Sequence, residues 1–488
     1  MTIDTLIIGA GAAGLMAAVW AGRTAPHQRL VVLDGARKLG AKILVAGGGR
    51  CNVTHHTVQA SDYAGSTQPA IRNILRRFDV PQTIQFFREL GVELKQEETG
   101  KLFPTTDNAR TVLDALLTAA RQAGADIRHP YRVSQVERLP SGEFKVGGEW
   151  GSLTTRRLIL ATGGRSLPKS GSDGMGYRFA TALGHSLTPH IFPALVPLTL
   201  PPNHFLCALS GLASPATLTV QSGTGKNLAQ FTNAVLCTHF GLSGPGVLDI
   251  SRHWIEAHTA DSRTRLLINW LPQYTSESLE AVFLAATRST PFQMVRDWLP
   301  ERLARALCET ADLPPHLPAN QLPRAQRKAL VQQLTAYPLP LVGHRGYTHA
   351  EVTAGGVPLS ELHLKTLESR LCPDLYLCGE ICDVDGRIGG FNFQWAWAEW
   401  FCGGGGKGRG RMTKRRMTNL SPLYPYSLAL PFSLLLALFH LVAHGRERAT
   451  YQQHHPHHHP AKIGDKLAND FPLASKRIAK AAVENQPQ

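Results

Sequence analysis

The sequence predicts an α/β fold in which a parallel sheet flanked by helices is divided by an inserted β-plus-α domain. The chain has 488 residues, enough for about three domains or one large domain with an insertion. Two apolar runs, Leu6–Ile8 and Leu30–Leu33, have the composition of strands buried in a parallel sheet. Between about residues 190 and 346 the pattern changes to shorter strands and helices. We therefore expect an insertion at 191–345.

The first strand passes directly into a glycine motif and then into a helical segment. In GAGAAG, Gly9 permits a tight turn, Gly11 lets the backbone approach a pyrophosphate, and Gly14 lets the helix pack on the strand. Asp34 follows the second strand, about 20 residues beyond Gly14, where a ribose-binding carboxylate belongs. The alternative is a glycine-rich turn of any α/β protein. Strand, helix and acid together favour a dinucleotide site.

Three later segments are also rich in glycine. GGGRCN, residues 47–52, has three glycines that uncover backbone N–H groups and admit a flat ring, although a flexible loop is the simpler alternative. LILATGG, residues 158–164, has the pattern of a strand that returns to the same sheet. Near the end, Gly389 and Gly390 open an aromatic helix, whose N-terminus would face an electron-rich group.

With FGLSGPGVL (residues 240–248), EVTAGGV (351–357) and GEICDVDGRIGGFNFQWAW (379–397), these motifs closely resemble the BaiN/YhiN-type flavoproteins from about Ile3 to Trp400. That family consists of FAD-dependent oxidoreductases. The resemblance implies a Rossmann-like, glutathione-reductase-like FAD-binding domain over residues 1–190 and 346–402, split by the insertion. It also implies targets as varied as a 3-dehydro bile acid, aminoacetone and a uridine of ribosomal RNA.

The resemblance further implies which residues hold FAD. Those expected at the cofactor are Gly9, Gly11, Gly14 and Asp34 for its ADP half, Val133 beside the adenine, Thr162 and Gly163 in the returning turn, Lys42, Gly48, Arg50, Cys51 and Asn52 near the ring, and Gly379, Glu380, Asp383, Gly390, Asn392 and Gln394 over the ribitol and ring. The helix that begins near Gly390 is expected to stabilise negative charge on the reduced ring. No metal site is expected.

The electron source and the proton source are separate questions. Only Cys51 lies near the expected ring, so a relay through a dithiol is disfavoured, since it needs a second thiol within bonding distance. No second GxGxxG follows a strand and opens a helix, so NAD(P)H is expected to visit the flavin transiently. Reduction of a conjugated C=C bond also needs an acid. Cys51 is the first candidate, with His349, Glu351 and Tyr347 as rivals.

Each candidate acid has a structural alternative, since Cys51 could be a small apolar filler and His349 a hydrogen-bonded structural residue. We expect hydride transfer from NAD(P)H to an unsaturated acceptor, with a uridine C5=C6 bond of ribosomal RNA as the leading target. A small-molecule enone reductase or an aminoacetone-type amine oxidase is the alternative within the same fold. A flavin-bearing redox sensor or binding module is the non-enzymatic alternative.

Charge and cysteine content bear on the partners and the location of the protein. Most of the net charge of +15 lies in residues 403–488, where 13 Lys and Arg face 4 Asp and Glu, so the charge is weak support for RNA binding. Eight cysteines without CxxC spacing fit a reducing, cytoplasmic location. The tail also contains a 17-residue apolar run, Tyr426–Val442, and membrane contact is expected only if this tail is authentic. A reading-frame shift behind the glycine run is the alternative origin.

Overall fold

The computed structural model describes residues 2–313 and 316–399. Its strands are β1 (Ile3–Ile8), β2 (Leu30–Leu33), β3 (Thr54–His55), β4 (Tyr63–Gly65), β5 (Leu94–Gln96), β6 (Lys101–Pro104), β7 (Ala125–Arg128), β8 (Gln135–Arg138), β9 (Phe144–Gly148), β10 (Gly151–Leu160), β11 (Phe192–Ala194), β12 (Leu198–Thr199), β13 (Ala213–Gln221), β14 (Asn227–Thr238), β15 (Gly241–Ser243), β16 (Arg265–Asn269), β17 (Tyr337–Leu339), β18 (Gly343–His344), β19 (Val352–Ala354), β20 (Leu362–His363), β21 (Glu368–Ser369), β22 (Leu375–Leu377) and β23 (Val384–Gly386).

The helices alternate with these strands in the first domain and cluster late in the inserted one. They are α1 (Ala12–Thr24), α2 (Ala41–Gly49), α3 (Gln68–Leu75), α4 (Val80–Glu89), α5 (Ala109–Gln122), α6 (Met175–Ala182), α7 (Phe205–Ala208), α8 (Pro245–Ala260), α9 (Ser276–Ala285), α10 (Pro291–Trp298), α11 (Glu301–Thr310), α12 (Arg324–Thr335) and α13 (Phe391–Ala398).

The main sheet contains a parallel block in the order β22-β10-β1-β2-β7. Ile7 of β1 lies opposite Ile159 of β10 on one side and Val32 of β2 on the other. All three side chains are buried, because helices cover both faces of a parallel sheet. The carboxyl ends of these strands meet at one edge. The glycine motif, Asp34 and the turn after β10 therefore converge there, which is where open α/β sheets bind ligands.

The inserted domain has its own sheet and its own core. Seven strands form a sheet in the order β17-β16-β13-β14-β15-β12-β18, and the pairings between them are antiparallel. A separate apolar cluster runs from Val196 to Ala350 and packs beneath helices α8 to α12. The chain enters through β11 and leaves through β19. These two strands pair with each other, Ala194 opposite Val352, so both crossings lie side by side.

One predicted helix of the insertion is two helices. The composition of residues 293–309 predicts one helical stretch, whereas α10 ends at Trp298 and α11 begins at Glu301. Pro300 explains the break, because proline has no N–H to donate and disfavours helical geometry at the residue before it. Leu299 accordingly has extended dihedral angles, φ −127° and ψ 156°.

No helix within the described residues is long and apolar enough to cross a membrane. The apolar run Tyr426–Val442 and the histidine-rich segment that follows it lie outside the described residues, as does the whole tail from residue 403. The predictions of membrane contact and of a reading-frame shift concern that tail alone.

Candidate active site

A cavity of about 660 Å³ opens at the carboxyl edge of the parallel sheet. Its walls come from the glycine motif, from the segment after β2, from the turn after β10 and from the loop before α13. Leu195 and Glu351, which adjoin the two crossing strands, extend the wall toward the inserted domain. The volume lies within the range of about 300–1,000 Å³ found for small-molecule and cofactor sites.

The three glycines of the first motif have different physical roles. Gly9 has a φ of +108°, and a Cβ there would lie 2.3 Å from the carbonyl oxygen of Ala161. A Cβ on Gly14 would lie 1.9 Å from the carbonyl oxygen of Gly9, so α1 can pack on the turn only without a side chain. At Gly11 no atom lies within 4 Å of that position. Gly11 therefore opens toward the cavity and leaves its backbone accessible.

The carboxylate of Asp34 is hydrogen-bonded to the turn after β1 and to the segment after β2. Its Oδ2 accepts a hydrogen bond from the Ala10 N–H at 2.7 Å, and its Oδ1 accepts one from the Ala36 N–H at 2.8 Å. Each carboxylate oxygen has a further lone pair, so Asp34 can still accept hydrogen bonds from hydroxyl groups in the cavity that it lines. This is compatible with the ribose-binding role expected of it.

Three side chains that line the cavity hold a polar atom with no hydrogen-bond partner in the described part of the chain. They are Asn52 through Oδ1, Thr162 through Oγ1 and Ser172 through Oγ. Asn52 and Ser172 are both 6% exposed. Buried polar atoms are normally paired, so such atoms in the cavity lining indicate a polar ligand. With Gly11 and Asp34 they form a lining that fits a dinucleotide such as FAD.

The second glycine segment forms a turn at the end of α2. Gly47 and Gly48 adopt left-handed angles, with φ of +57° and +69°, and a Cβ on Gly47 would lie 2.8 Å from the ring of Phe103. Arg50 stacks over Phe103, 4.0 Å from its centroid, and pairs with Glu97 at 2.6 Å. The turn is therefore tied to β6 and is a defined part of the wall.

Lys42 and Glu380 form a charged bridge at the cavity, with Nζ and Oε2 2.6 Å apart. The other carboxylate oxygen of Glu380 accepts a hydrogen bond from the Thr353 N–H at 3.0 Å. The bridge thus connects α2 with the strand that returns from the inserted domain.

Helix α13 begins at the cavity. Its N-cap, Gly390, has a φ of +94°, and a Cβ there would lie 2.6 Å from the backbone of Thr54. Gly389, Gly390 and Asn392 line the cavity. Asn392 accepts a hydrogen bond from the Gly386 N–H at 2.8 Å and returns one to its carbonyl at 2.9 Å, which closes the loop before the helix.

The model of one family, the HI0933-like protein Rossmann domain, matches residues 3–405. The chain belongs to this family. It is therefore an α/β protein with a Rossmann-type domain of FAD-dependent oxidoreductases, which confirms the predicted fold class and the predicted resemblance.

Relatives that match most of the HI0933-like chain include two with different names. It is 33% identical over 402 residues to a 3-dehydro-bile acid delta(4,6)-reductase of Clostridium scindens, covering 82% of this chain and 97% of the relative. It is 34% identical over 407 residues to a ribosomal RNA dihydrouridine synthase of Escherichia coli, covering 82% and 96%. A solved structure, a 3-ketosteroid-delta4-(5alpha)-dehydrogenase of Rhodococcus jostii, matches at 14% identity and a TM-score of 0.45 over 83% of this chain and 96% of that one.

Most residues expected at the cofactor line the cavity of this HI0933-like chain. Those that do are Gly9, Gly11, Asp34, Lys42, Gly48, Arg50, Asn52, Val133, Thr162, Gly163, Gly379, Glu380, Gly390 and Asn392. Gly14 lies behind the motif and acts through packing. Val133 is 4% exposed and lies at the end of the cavity near Arg132 and Asp173, which form an ion pair at the rim.

Three expected residues are placed in the protein interior instead. Cys51 is fully buried in the main core, and burial raises the pKa of its thiol to about 12. Gln394 is 1% exposed and accepts hydrogen bonds from the hydroxyl groups of Thr54 and Thr83. Asp383 is buried, and its carbonyl accepts a hydrogen bond from the Ser66 N–H at 2.8 Å. None of the three lines the cavity in the described part of the chain.

The structure places the other candidate proton donors in different surroundings. His349 is exposed and contacts Arg345, with Nε2 and Nη2 2.9 Å apart. Tyr347 donates its hydroxyl proton to the Ile191 carbonyl at 2.8 Å. Glu351 alone among the candidate acids lines the cavity in the described residues. The residue is exposed because it opens into the cavity, and the protein around that cavity desolvates the carboxyl group and raises its pKa.

The wall near Glu351 includes two cations that the sequence motifs did not single out, Lys101 of β6 and Arg387 before α13. The guanidinium of Arg387 pairs with Asp249 of α8 at 3.1 Å, and the other oxygen of Asp249 accepts the Ile388 N–H at 2.8 Å. Helix α8 of the inserted domain thereby holds the loop that leads to α13. Lys101 lies in no repeated or glycine-rich pattern, so no local signal marks it, whereas Arg387 lies between Gly386 and Gly389 in the motif over residues 379–397 and could have been considered from that position.

Proposed function

We propose that this protein reduces a C=C bond conjugated with a carbonyl group, taking its electrons from NAD(P)H. The observation that carries the proposal is Glu351, an acid with a raised pKa that faces the cofactor-sized cavity without an ion-pair or hydrogen-bond partner in the described chain. FAD, when bound, supplies hydride transfer. The protein supplies binding, orientation and the proton that completes the reduction.

The names of the relatives support this reaction class. A delta(4,6)-reductase of a 3-dehydro bile acid and a dihydrouridine synthase act on very different molecules. Both names describe saturation of a C=C bond conjugated with a carbonyl group. A chain about equally similar to both is best assigned to the chemistry that they share.

Different residues along the cavity would bind the cofactor and deliver the proton. The backbone at Gly11, the carboxylate of Asp34 and the side chains of Asn52, Thr162 and Ser172 would hold the cofactor. The first turn of α13 offers positive backbone charge to the cavity. Glu351 would hold a proton and deliver it to the substrate carbon adjacent to the carbonyl group. The raised pKa keeps a larger fraction of Glu351 protonated near neutral pH than an ordinary glutamate would show.

NAD(P)H would reach the same cavity in turn. The sequence contains one strand-turn-helix motif for a dinucleotide, and the structure forms the cofactor cavity around it. A transient donor that alternates with the acceptor substrate requires only that the cavity mouth admit both.

For the acceptor we propose a uridine of ribosomal RNA, whose C5=C6 bond is conjugated with a carbonyl group. The relative named ribosomal RNA dihydrouridine synthase supports this choice. The second candidate is a small-molecule enone, which the relative named as a bile acid reductase favours. Turnover on RNA should fall steeply with added salt because phosphate contacts release counterions, whereas turnover of an uncharged enone should show little salt dependence.

The test begins with anaerobic reduction of the purified yellow protein by NADH or NADPH. Ribosomal RNA, a cyclic enone and oxygen are then compared as reoxidants. Multiple turnover with RNA or the enone supports the proposal, and turnover of aminoacetone with oxygen would instead identify an amine oxidase. Absence of multiple turnover with every acceptor would leave the redox sensor as the better description and refute the reductase.

Glu351→Gln tests the proton donor, because the amide keeps the size and loses the acid. We expect the rate of acceptor reduction to fall about 100-fold or more, and its decline at high pH to disappear. The rate of flavin reduction by NAD(P)H should change little. Glu137→Gln, an exposed acid of β8 outside this cavity, is the matched control. An unchanged pH profile in Glu351→Gln would exclude Glu351 as the donor.

A further inference from the structure

The charged side chains that line the cavity are nearly all engaged with one another. Four of the five cations pair with carboxylates, and the described residues show these pairs: Lys42 with Glu380, Arg50 with Glu97, Arg132 with Asp173, and Arg387 with Asp249. Lys101 is the fifth, and within the described chain no carboxylate lies within ion-pair distance of its ammonium group.

The acids of the cavity show the same pattern. Glu380 and Asp173 are paired with cations, and both oxygens of Asp34 accept backbone hydrogen bonds. Glu351 is the fourth acid and has no such partner in the described residues. One cation and one acid thus remain available at the same end of the cavity. A charged group without a protein partner in a cleft is suited to a ligand.

Lys101 is held close to the loop before α13. Its backbone lies opposite His55 in the pairing of β3 with β6, and the ring of His55 stacks on Phe391, the first residue of α13. The Cε of Lys101 lies 3.6 Å from the position that a Cβ on Gly389 would occupy. Its charge acts on both Glu351 and Asp249, lowering the pKa of each carboxyl group against the larger effect of burial.

The other cations near this end are committed to their partners. Arg387 directs Nε and Nη2 to Asp249 at 3.3 Å and 3.1 Å, and Arg50 lies over Phe103 with its Nη1 on Glu97. Using either of them for a substrate would break an existing ion pair. Lys101 requires no such exchange.

We propose that Lys101 binds the carbonyl oxygen of the acceptor and stabilises the negative charge that forms there. This rests on the proposed function. In the reduction, hydride adds to the distant carbon of the C=C bond, and the electron pair of that bond moves to give an enolate with its charge on oxygen. Glu351 then gives its proton to the carbon next to the carbonyl group and becomes a carboxylate. Lys101 keeps its protons throughout, and the two electrons come from NAD(P)H through FAD.

The proposal defines a class of ligand, which is a planar molecule with a negatively charged oxygen on a conjugated system. A phenolate has this form without being reducible. 4-Nitrophenol is a suitable probe because its phenolate absorbs at a longer wavelength than the phenol. It reports both binding and ionisation in the oxidised, FAD-loaded protein, independently of turnover.

The experiment titrates the FAD-loaded protein with 4-nitrophenol at a pH where the free phenol is largely protonated. The wild type should bind the phenolate form and display its absorption. Lys101→Met should bind roughly 10- to 100-fold more weakly and show the phenol spectrum, because a charge-assisted hydrogen bond is lost. Lys101→Arg should retain most of the binding. Lys145→Met, on the exposed face of β9, should match the wild type.

Two results would overturn the assignment. Equal phenolate binding by Lys101→Met and wild type would show that another group takes the oxygen, and loss of FAD from Lys101→Met would show that Lys101 holds the cofactor. Failure of the proposed function looks different. A wild type that reduces no enone or uridine, yet binds phenolate through Lys101, would refute the reductase and keep the oxyanion site. Turnover of an enone at a rate that does not depend on Lys101 would keep the reductase and refute the oxyanion site.

Discussion

Substitutions at Gly11 and Gly14 should separate the stability of the fold from its capacity to bind FAD. The two glycines belong to one motif, and each would gain a single methyl group from alanine. A Cβ on Gly14 would lie 1.9 Å from the carbonyl oxygen of Gly9 and 2.9 Å from its carbon. These are backbone atoms that cannot move aside cheaply, so α1 must shift away from the turn.

The expected magnitudes follow from these distances. Gly14→Ala overpacks the core beside β1 and should lower the free energy of unfolding by about 1–3 kcal/mol or more. Gly11→Ala has no neighbour within 4 Å and a φ of −80°, which alanine adopts without strain. Its apoprotein should be as stable as the wild type or slightly more so, by about 0.4–1 kcal/mol, because alanine restricts the unfolded chain. Its methyl group would nevertheless occupy the space where a pyrophosphate approaches the backbone, and FAD affinity should fall tenfold or more.

The assay measures thermal unfolding of both apoproteins and then FAD binding by quenching of flavin fluorescence. Before FAD is added, we expect Gly14→Ala to unfold at a lower temperature than the wild type and Gly11→Ala to unfold at the same or a slightly higher temperature. Only the wild type should gain its full increase in melting temperature with FAD, since a ligand stabilises the state that binds it. An apo Gly11→Ala protein that binds FAD as tightly as the wild type would refute the reasoning about the close approach.

Three further substitutions test the interior around the cavity. Cys51→Ser should keep bound FAD and turnover within about twofold, since Cys51 is buried and does not line the cavity. Its melting temperature should fall, because a buried hydroxyl group costs about 1–3 kcal/mol. A large loss of turnover at normal FAD content would instead indicate a chemical role for Cys51. Asp385 is buried beside Arg252, and burial raises the pKa of its carboxyl group to about 6. The folded protein therefore holds a proton on Asp385 at pH values where the unfolded chain has already lost it, and the free energy of unfolding falls as pH rises from about 4 to 6. The stability of Asp385→Asn relative to the wild type should therefore rise across that range, by an amount on the order of 3 kcal/mol, in unfolding measured at successive pH values; a constant difference would contradict this. Asp249→Ala should lower the free energy of unfolding by about 1–3 kcal/mol because it leaves the Ile388 N–H without its acceptor, and an unchanged melting temperature would show that α8 does not hold this loop.

The inserted domain contributes more than a wall to the cavity. Helix α8 brings Asp249 to Arg387 and Ile388, and Arg252 to Asp385 at 2.8 Å, so both ion pairs join the insertion to the segment before α13. A displacement of α8 would therefore move the loop that carries Gly389 and Gly390. The position of the inserted domain and the shape of the cavity near Glu351 are mechanically connected.

Which residues of each motif face the cavity could not be predicted from the sequence. Cys51 and Asn52 are neighbours, yet Asn52 lines the cavity while Cys51 is buried behind it. The same holds on α13, where Asn392 faces the loop and the cavity and Gln394 lies in the core with Thr54 and Thr83. Cys51 has left-handed backbone angles, with a φ of 62°, and Asn392 and Gln394 are two positions apart on one helix, so the side chains of each pair point in different directions. Only the packing of distant segments decides which of these directions is open.

The parallel sheet, the glycine turn and the position of Asp34 at the end of β2 could be predicted from the amino-acid sequence. Buried parallel strands need continuous apolar runs, which are visible in the sequence. Glycine readily adopts conformations such as the φ of +108° at Gly9, so a glycine motif indicates the turn from neighbouring residues alone. That Lys101 and Glu351 line the same cavity with no ion-pair partner among the described residues follows from the tertiary structure. Lys101 lies in β6 and Glu351 directly before β19, 250 residues apart in the sequence (351 − 101), and the partners of charged side chains depend on contacts between segments that sequence spacing does not encode.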